Sequence, residues 1–340
     1  MRVCLIGKFH GVPDEGMRNV ASALAQHLPR HHEILALDVR DLRTREFWTS
    51  LRSFDPDVVQ YLLGPTIASL ILVKVFSLLL PRAKTVTLAV RPSIARPLKF
   101  LIPLVRPDLV LSQSSEVDDL FRRYGCETYY LPNGVDMGKF QPVPPEKKRE
   151  LRRRYGIEED ASLILHIGPL ERGRNVHLLT GLQGENRQVL VIGSSAGKAD
   201  RRTLRDLTQS GCIVWTDYIR SVHEVYQMAD CYVFPALDKK SLLWGNVSSA
   251  IDLPLTVLEA MATNLFVVSS PFGALPRVFG EGEGFVYARS ADEIERTVRA
   301  YLAGGTEVRT RERVEHLSWD AISQELAGLY TIRFNNLGRL

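Results

Sequence analysis

Short apolar runs recur along the first half of the chain, each followed by a stretch of helical spacing. Residues 3–6 read as a strand, and the next segment places Val20, Ala21, Leu24, Ala25 and Leu28 on one helical stripe. Runs at 34–37, 58–61, 85–89, 109–112 and 128–131 continue the series. Runs that are apolar throughout indicate strands buried on both faces, and helices between them supply parallel crossovers.

Around Pro142 and Pro145 the pattern stops. The charged stretch from Glu146 to Tyr155 intersperses Glu146 and Glu150 among Lys and Arg, and reads as a solvated helix beside a linker. Apolar runs resume at 163–167, 189–192, 212–215, 231–235 and 266–269. A second α/β pattern therefore completes itself after the proline-rich break. The expected fold class is α/β, with two Rossmann-like domains facing an interdomain cleft, because ligands of such sheets sit beyond the strand ends.

One segment, 62–80, is apolar over 19 residues with Lys74 as its one charge, close to the length of a membrane span. The Gly64-Pro65 pair interrupts its start and leaves a helix of about 15 residues, where two parallel strands need a crossover. A core helix is expected; a shallow membrane-contacting helix and a true span are the alternatives. Residues 98–105 are also apolar and lie among Arg91, Arg96, Lys99 and Arg106. That mixture suits an anionic bilayer, with an ordinary solvated face as the alternative.

Composition narrows the class. Of 340 residues, 45% are hydrophobic and 24% charged, and 43 Lys and Arg against 39 Asp and Glu give a net charge of +4. A disordered, fibrous or coiled-coil chain is excluded, and any anion-binding face must be local. No basic run interleaved with aromatics marks a nucleic-acid face. The four cysteines, at 4, 126, 212 and 231, show no paired spacing, so buried thiols are expected rather than a disulfide framework or a zinc site. The strand-like N-terminus lacks an export signal, and a cytoplasmic location is expected.

Three loops carry candidate chemistry. The first, Gly7 to Gly16, has no Gly-x-Gly-x-x-Gly, which argues against dinucleotide binding. Gly16, just before a helix, permits close approach to exposed N–H groups. In the second, Asn133-Gly134 offers a tight turn and Asp136 a cap for the segment after it. The third begins at Pro254, which fits a first helical turn, so the N–H groups of Leu255, Thr256 and Val257 form a receptor for phosphate or carboxylate. Glu259 stands among apolar neighbours, where a carboxylate needs partners. The two hydroxyls of a nucleotide ribose would supply them; a Glu facing solvent is the alternative.

Several motifs, in order, resemble family 4 glycosyltransferases of the GT-B fold. They are Asn133-Gly-Val-Asp136 with Phe140, Gly168-Pro-Leu-Glu-Arg-Gly-Arg174 running on to Leu179, Val225-Tyr226 through Phe234-Pro235, Pro254 through Ala262, Val267-Val-Ser269, and a closing helix from Trp319. The resemblance implies an acceptor-side domain over 1–143, braced by a helix over 318–335, and a nucleotide-sugar domain over 144–317. It implies transfer, with retention, from a UDP-, GDP- or ADP-sugar to a glycan or lipid-linked acceptor hydroxyl. No metal or other cofactor is required, and a peripheral place on an anionic membrane is compatible with the basic and apolar segments.

By that resemblance Glu259 holds the ribose. Arg174, with Arg172 and the N–H groups at 255–257, meets the diphosphate; Gly168 and Gly16 admit it, and the Ile219 backbone meets the base. His10, with Asp14 and Glu15, is a candidate for the acceptor side, polar loop surface being the alternative. The departures are Ile251 where the family has a second Glu, Pro169 for an Arg, Ala89-Val-Arg-Pro92 where a His is common, and Arg277 for a Glu. Asp252 stands one position on from Ile251 as a substitute contact to the donor sugar. A catalytically silent scaffold or regulatory partner, and a sugar-nucleotide epimerase of the same fold, are the competing readings.

Overall fold

A computed structural model describes residues 1–11, 16–90, 92–193, 199–236, 239–241, 245–247 and 251–334; the side chains of Arg172 and of 239–247 lie outside the description. Asp14, Glu15 and Arg91 also fall outside the described residues. The chain forms two compact units, Met1–Gly134 with Lys240–Leu253 and Trp319–Leu340, and Val135–Lys239 with Pro254–Ser318.

In unit 1 the elements run β1 (Arg2–Gly7), α1 (Gly16–His27), β2 (Glu33–Asp38), α2 (Arg45–Phe54), β3 (Val58–Tyr61), α3 (Ile67–Leu79), β4 (Lys84–Ala89), β5 (Leu109–Ser112), α4 (Ser115–Arg123) and β6 (Thr128–Tyr130). The strands make one parallel sheet in the order β2-β1-β3-β4-β5-β6. β3 and β5 are buried along their whole length, which is why their runs carry no alternation. α3 opens on a reciprocal cap between Thr66 and Ser69 and buries Leu70, Val73 and Phe76. Between β4 and β5, residues Arg96–Leu104 wind as a 3-10 segment, where Pro103 withdraws a donor that an α-helix needs.

Unit 2 contains α5 (Pro145–Tyr155), β7 (Ser162–Ile167), β8 (Arg187–Ile192), α6 (Arg201–Gln209), β9 (Ile213–Trp215), α7 (Val222–Met228), β10 (Cys231–Phe234), α8 (Leu255–Ala262), β13 (Phe266–Ser269), α9 (Leu275–Val278), β14 (Phe285–Tyr287) and α10 (Ala291–Leu302); the short strands β11 (Lys239–Ser241) and β12 (Gly245–Val247) pair with each other. The sheet order is β14-β13-β10-β7-β8-β9. The charged run forms α5 but is not wholly solvated. Arg152 is buried, with its guanidinium donating to the Met228, Glu159 and Ala161 carbonyls and to Asp230. Four of its N–H groups find acceptors there, Asp230 supplying the counter-charge, which is what allows the charge inside. All four cysteines are buried free thiols.

The last helix, α11 (Trp319–Phe334), belongs to unit 1 and buries Trp319, Ile322, Leu326, Leu329 and Tyr330. Its Tyr330 hydroxyl hydrogen-bonds Gln60 of β3, Tyr129 donates to Glu325 at 2.8 Å, and Asp320 pairs with His27 and Arg30. α11 also explains Gly134, where the expected tight turn is not formed. A Cβ on Gly134 would lie 2.5 Å from Trp319 Cδ2, so the glycine serves the approach of the helix. Asp136 does cap the segment after it, accepting from the Gly138 and Lys139 N–H groups at 3.1 and 2.9 Å. Among the described residues no helix is long and apolar enough to cross a membrane.

Candidate functional site

In unit 2, β7 stands at the switch point, with β8 and β9 on one side and β10, β13 and β14 on the other. Open parallel sheets bind ligands outside the strand ends at that point. Gly168 follows β7 there, its N–H donating to Ile192 O at 3.0 Å. A Cβ on Gly168 would sit 3.3 Å from His166 Nε2 and 3.4 Å from Arg174 Nη1. The missing side chain therefore lets the buried Arg174 and the imidazole converge beside the strand end.

His166 is fully buried, and its Nδ1 lies 2.8 Å from Val233 O of β10, on the far side of the switch point. Desolvation, then the Arg174 charge, lowers its pKa to about 4, against the opposing effect of the Val233 bond. The ring is thus neutral at physiological pH and donates from Nδ1 to the carbonyl. Nε2 is left as a buried acceptor with no hydrogen-bond partner among the described residues. Sequence reading missed this histidine inside the apolar run of β7; a polar residue in an otherwise apolar strand interior is the signal that was present.

The second group lies on α7 and α8. α8 buries Leu255, Val257, Leu258, Ala260, Met261 and Ala262, which leaves Glu259 as its one charge. Glu259 is half-buried and accepts a 2.8 Å hydrogen bond from the hydroxyl of Tyr226. Burial raises its pKa to about 7, opposed by the Tyr226 bond and by the charge of Lys139. Tyr226 is fully buried, edge-on to Phe140 with ring centroids 5.5 Å apart. Arg311 donates to the carbonyls of Met137, Phe140 and Ala262, and so ties the Lys139–Phe140 segment to the end of α8. Beside this group, Tyr232 hydrogen-bonds Thr256 at the start of α8 and Ile167 O at the end of β7. The solvent-facing alternative for Glu259 does not hold.

Among the candidates for N–H donation at that helix start, Val257 closes onto Pro254 O at 3.2 Å. Ile219 is half-buried on the loop after β9. Gly168, Arg172, Arg174, Ile219, Leu255, Thr256, Val257 and Glu259 all belong to unit 2, whereas His10, Gly16 and Asp252 belong to unit 1.

Within unit 1, Asp252 is buried, accepts from Ser114 Oγ at 2.9 Å and donates its N–H to Val90 O. Asn133 donates to Leu253 O at 2.7 Å. Ile251 lies against Gly16, 3.3 Å from where a Cβ would stand. His10 is exposed, and its N–H, with that of Phe9, donates to Asp38 at the end of β2. Burial alone would raise the Asp38 pKa, but Arg40 and the N–H groups of His10, Arg40 and Phe9 hold it well below the usual carboxylate range. A dinucleotide fold keeps an acid at that position for ribose; here it is engaged by its own loop.

Residues 164–304 match the family described as glycosyl transferases group 1. The chain is related to the group 1 glycosyltransferases. This relationship extends to an uncharacterized glycosyltransferase of Methanocaldococcus jannaschii, 24% identical over 67% of this chain and 60% of that protein. A putative teichuronic acid biosynthesis glycosyltransferase of Bacillus subtilis is 25% identical over 57% of this chain and 46% of its own length. The chain spans about half the length of such relatives. Sucrose-phosphate synthase from Thermosynechococcus elongatus superimposes with a TM-score of 0.75 at 16% identity, covering 99% of this chain and 100% of that one. Anabaena HepE in complex with UDP and glucose gives 0.72 at 11% identity, over 97% and 99%. The chain thus has a GT-B fold made of two Rossmann-like α/β domains. Among its described residues no cluster of three or more His, Cys, Asp or Glu could hold a metal ion.

Removing the Tyr226 hydroxyl isolates the effect of its bond. Tyr226→Phe is expected to raise the Glu259 pKa by about one unit and to lower stability above pH 7 by about 1 kcal/mol. Titration of the carboxylate by NMR and urea unfolding at pH 8 check both.

Proposed function

We propose that this chain transfers a sugar from a nucleoside-diphosphate sugar to an acceptor hydroxyl, with retention. The observation that carries the reading is Glu259, a half-buried carboxylate that accepts from Tyr226, raised to about 7 beside the sheet switch point. A ribose diol supplies the donors that would make its charged form favourable. Arg174 meets the departing diphosphate, assisted by Arg172 and the first N–H groups of α8, and so stabilises charge as the glycosidic bond breaks. Gly168 and Gly16 give room for this, and the Ile219 backbone contacts the base. His10 and Asp252 act from unit 1, toward the acceptor and the donor sugar respectively. The acceptor we assign to the lipid-linked or membrane-surface class, since unit 1 presents an apolar and basic face.

Calorimetric titration with UDP, GDP and ADP, then with their sugar conjugates, tests the reading. Selective binding that is lost in Glu259→Ala is expected, followed by turnover with the selected donor. Absence of binding to all of them would overturn it. A silent partner is the second reading, favoured by Ile251, whose side chain packs on Gly16 where the resembled family has a carboxylate. Binding with no release of nucleotide in any acceptor mixture is its signature.

A further inference from the structure

Seven of the nine exposed large hydrophobic side chains among the described residues lie on two neighbouring elements of unit 1: Ile71, Val75, Leu78 and Leu79 on α3, and Leu98, Phe100 and Leu104 on the 3-10 segment. Single exposed apolar residues need no explanation, but such concentration does. On α3 the exposed positions 68, 71, 75 and 78 recur at helical spacing, opposite the buried stripe of Leu70, Val73 and Phe76. The helix is thus apolar on both faces, and only one is covered by the core. Leu70 and Ile102 share one buried cluster, and the two elements are in contact. Phe100 is 67% exposed, Leu78 and Leu104 70%.

Cations gather around Lys99 at the edge of this face. The Lys99 ammonium is held below its ordinary pKa by desolvation and then by Arg96 and Arg123, with no acid offsetting them. Lys74 stands on α3 itself. Three crowded cations beside an exposed apolar surface are costly in water and favourable against a layer of negative headgroups over hydrocarbon. A protein partner of ordinary mixed charge would meet only half of that pattern.

We propose that the α3 and 3-10 face of unit 1 docks on an anionic bilayer, with Leu78, Phe100 and Leu104 inserted below the headgroups and Arg96, Lys99 and Arg123 at headgroup level. At 13 residues, α3 is about 20 Å long, too short to cross the bilayer, so it lies in the interface plane. This surface deepens the acceptor assignment above and rests on that reading only for its purpose, since docking requires no nucleotide.

The test is sedimentation of the full chain with vesicles of phosphatidylcholine alone or mixed with phosphatidylglycerol. Binding to the mixed vesicles alone, weakened as salt rises, is expected. Leu78→Ser with Phe100→Ser and Leu104→Ser should lose at least about tenfold in partitioning, and Arg96→Glu with Lys99→Glu a similar factor. All five positions lie at the surface, and unchanged melting would show that the fold persists. Trp fluorescence of Phe100→Trp should shift to the blue on the mixed vesicles only. Equal partitioning on both vesicle types, or undiminished binding by either variant, would overturn docking. So would a concentration-dependent dimer abolished by the triple variant, which would make the face a contact between two copies. Nucleotide titration of the same variants separates the readings: vesicle binding without nucleotide binding removes the transferase and leaves the docking surface.

Discussion

Above pH 7, Glu259→Gln is expected to be more stable than the parent chain by on the order of 2 kcal/mol, while losing nucleotide affinity about tenfold to a hundredfold. The folded pKa of Glu259, about 7, lies above its ordinary 4.5. Between those values the folded state holds a proton that the unfolded state has released, so stability falls as pH rises through the window. Below about pH 4.5 the carboxyl is neutral in both states, and the variant and parent converge. Gln keeps an oxygen for the Tyr226 hydroxyl and removes only the charge. In the parent, nucleotide binding should release a proton and weaken about tenfold for each unit that pH falls below 7; the variant should show no such slope. Thermal unfolding at pH 5 and 8, with calorimetry in buffers of different ionisation enthalpy, measures both effects. A variant no more stable at pH 8 than at pH 5, relative to its parent, would show that Glu259 is not desolvated.

Gly134→Ala is expected to destabilise unit 1 by about 3 kcal/mol. The added methyl would meet Trp319 at Cδ2, Cε3 and the backbone Cα, at 2.5, 2.6 and 3.0 Å. A ring alone could rotate away, but the clash with the Trp319 backbone requires the start of α11 to move. The helix should then fray, and limited proteolysis should remove it before unit 2 is cut. Trp319→Ala should cost about 3 kcal/mol alone yet add less than its full cost in the double variant. Full additivity of the two changes would mean that they do not touch.

The strands were legible because burial on both faces leaves an unbroken apolar run; β3, β5 and β13 occupy the expected residues. β14 was not, since the three residues between the turn at Gly284 and Ala288 carry too little pattern to register. Arg152 looked solvated because its acceptors are carbonyls brought in from Met228, Glu159 and Ala161. Local propensity read Asn133-Gly134 as a turn, whereas the requirement comes from Trp319, far along the chain. Glu259 was legible as a charge out of place on an apolar helix. His166 was not: its tautomer depends on Val233 O across the sheet, and its neighbour Arg174 arrives through the glycine at 168.

The attachment of α11 to unit 1 has a consequence for the newborn chain. Gln60 receives Tyr330, and α1 its covering helix, only after the whole of unit 2 has left the ribosome. At about 5–20 residues per second, residues 1–134 wait on the order of ten to forty seconds with that side of their sheet bare. α11 belongs to unit 1, so the half begun first is the half completed last. That interval is when a holding chaperone has most to cover.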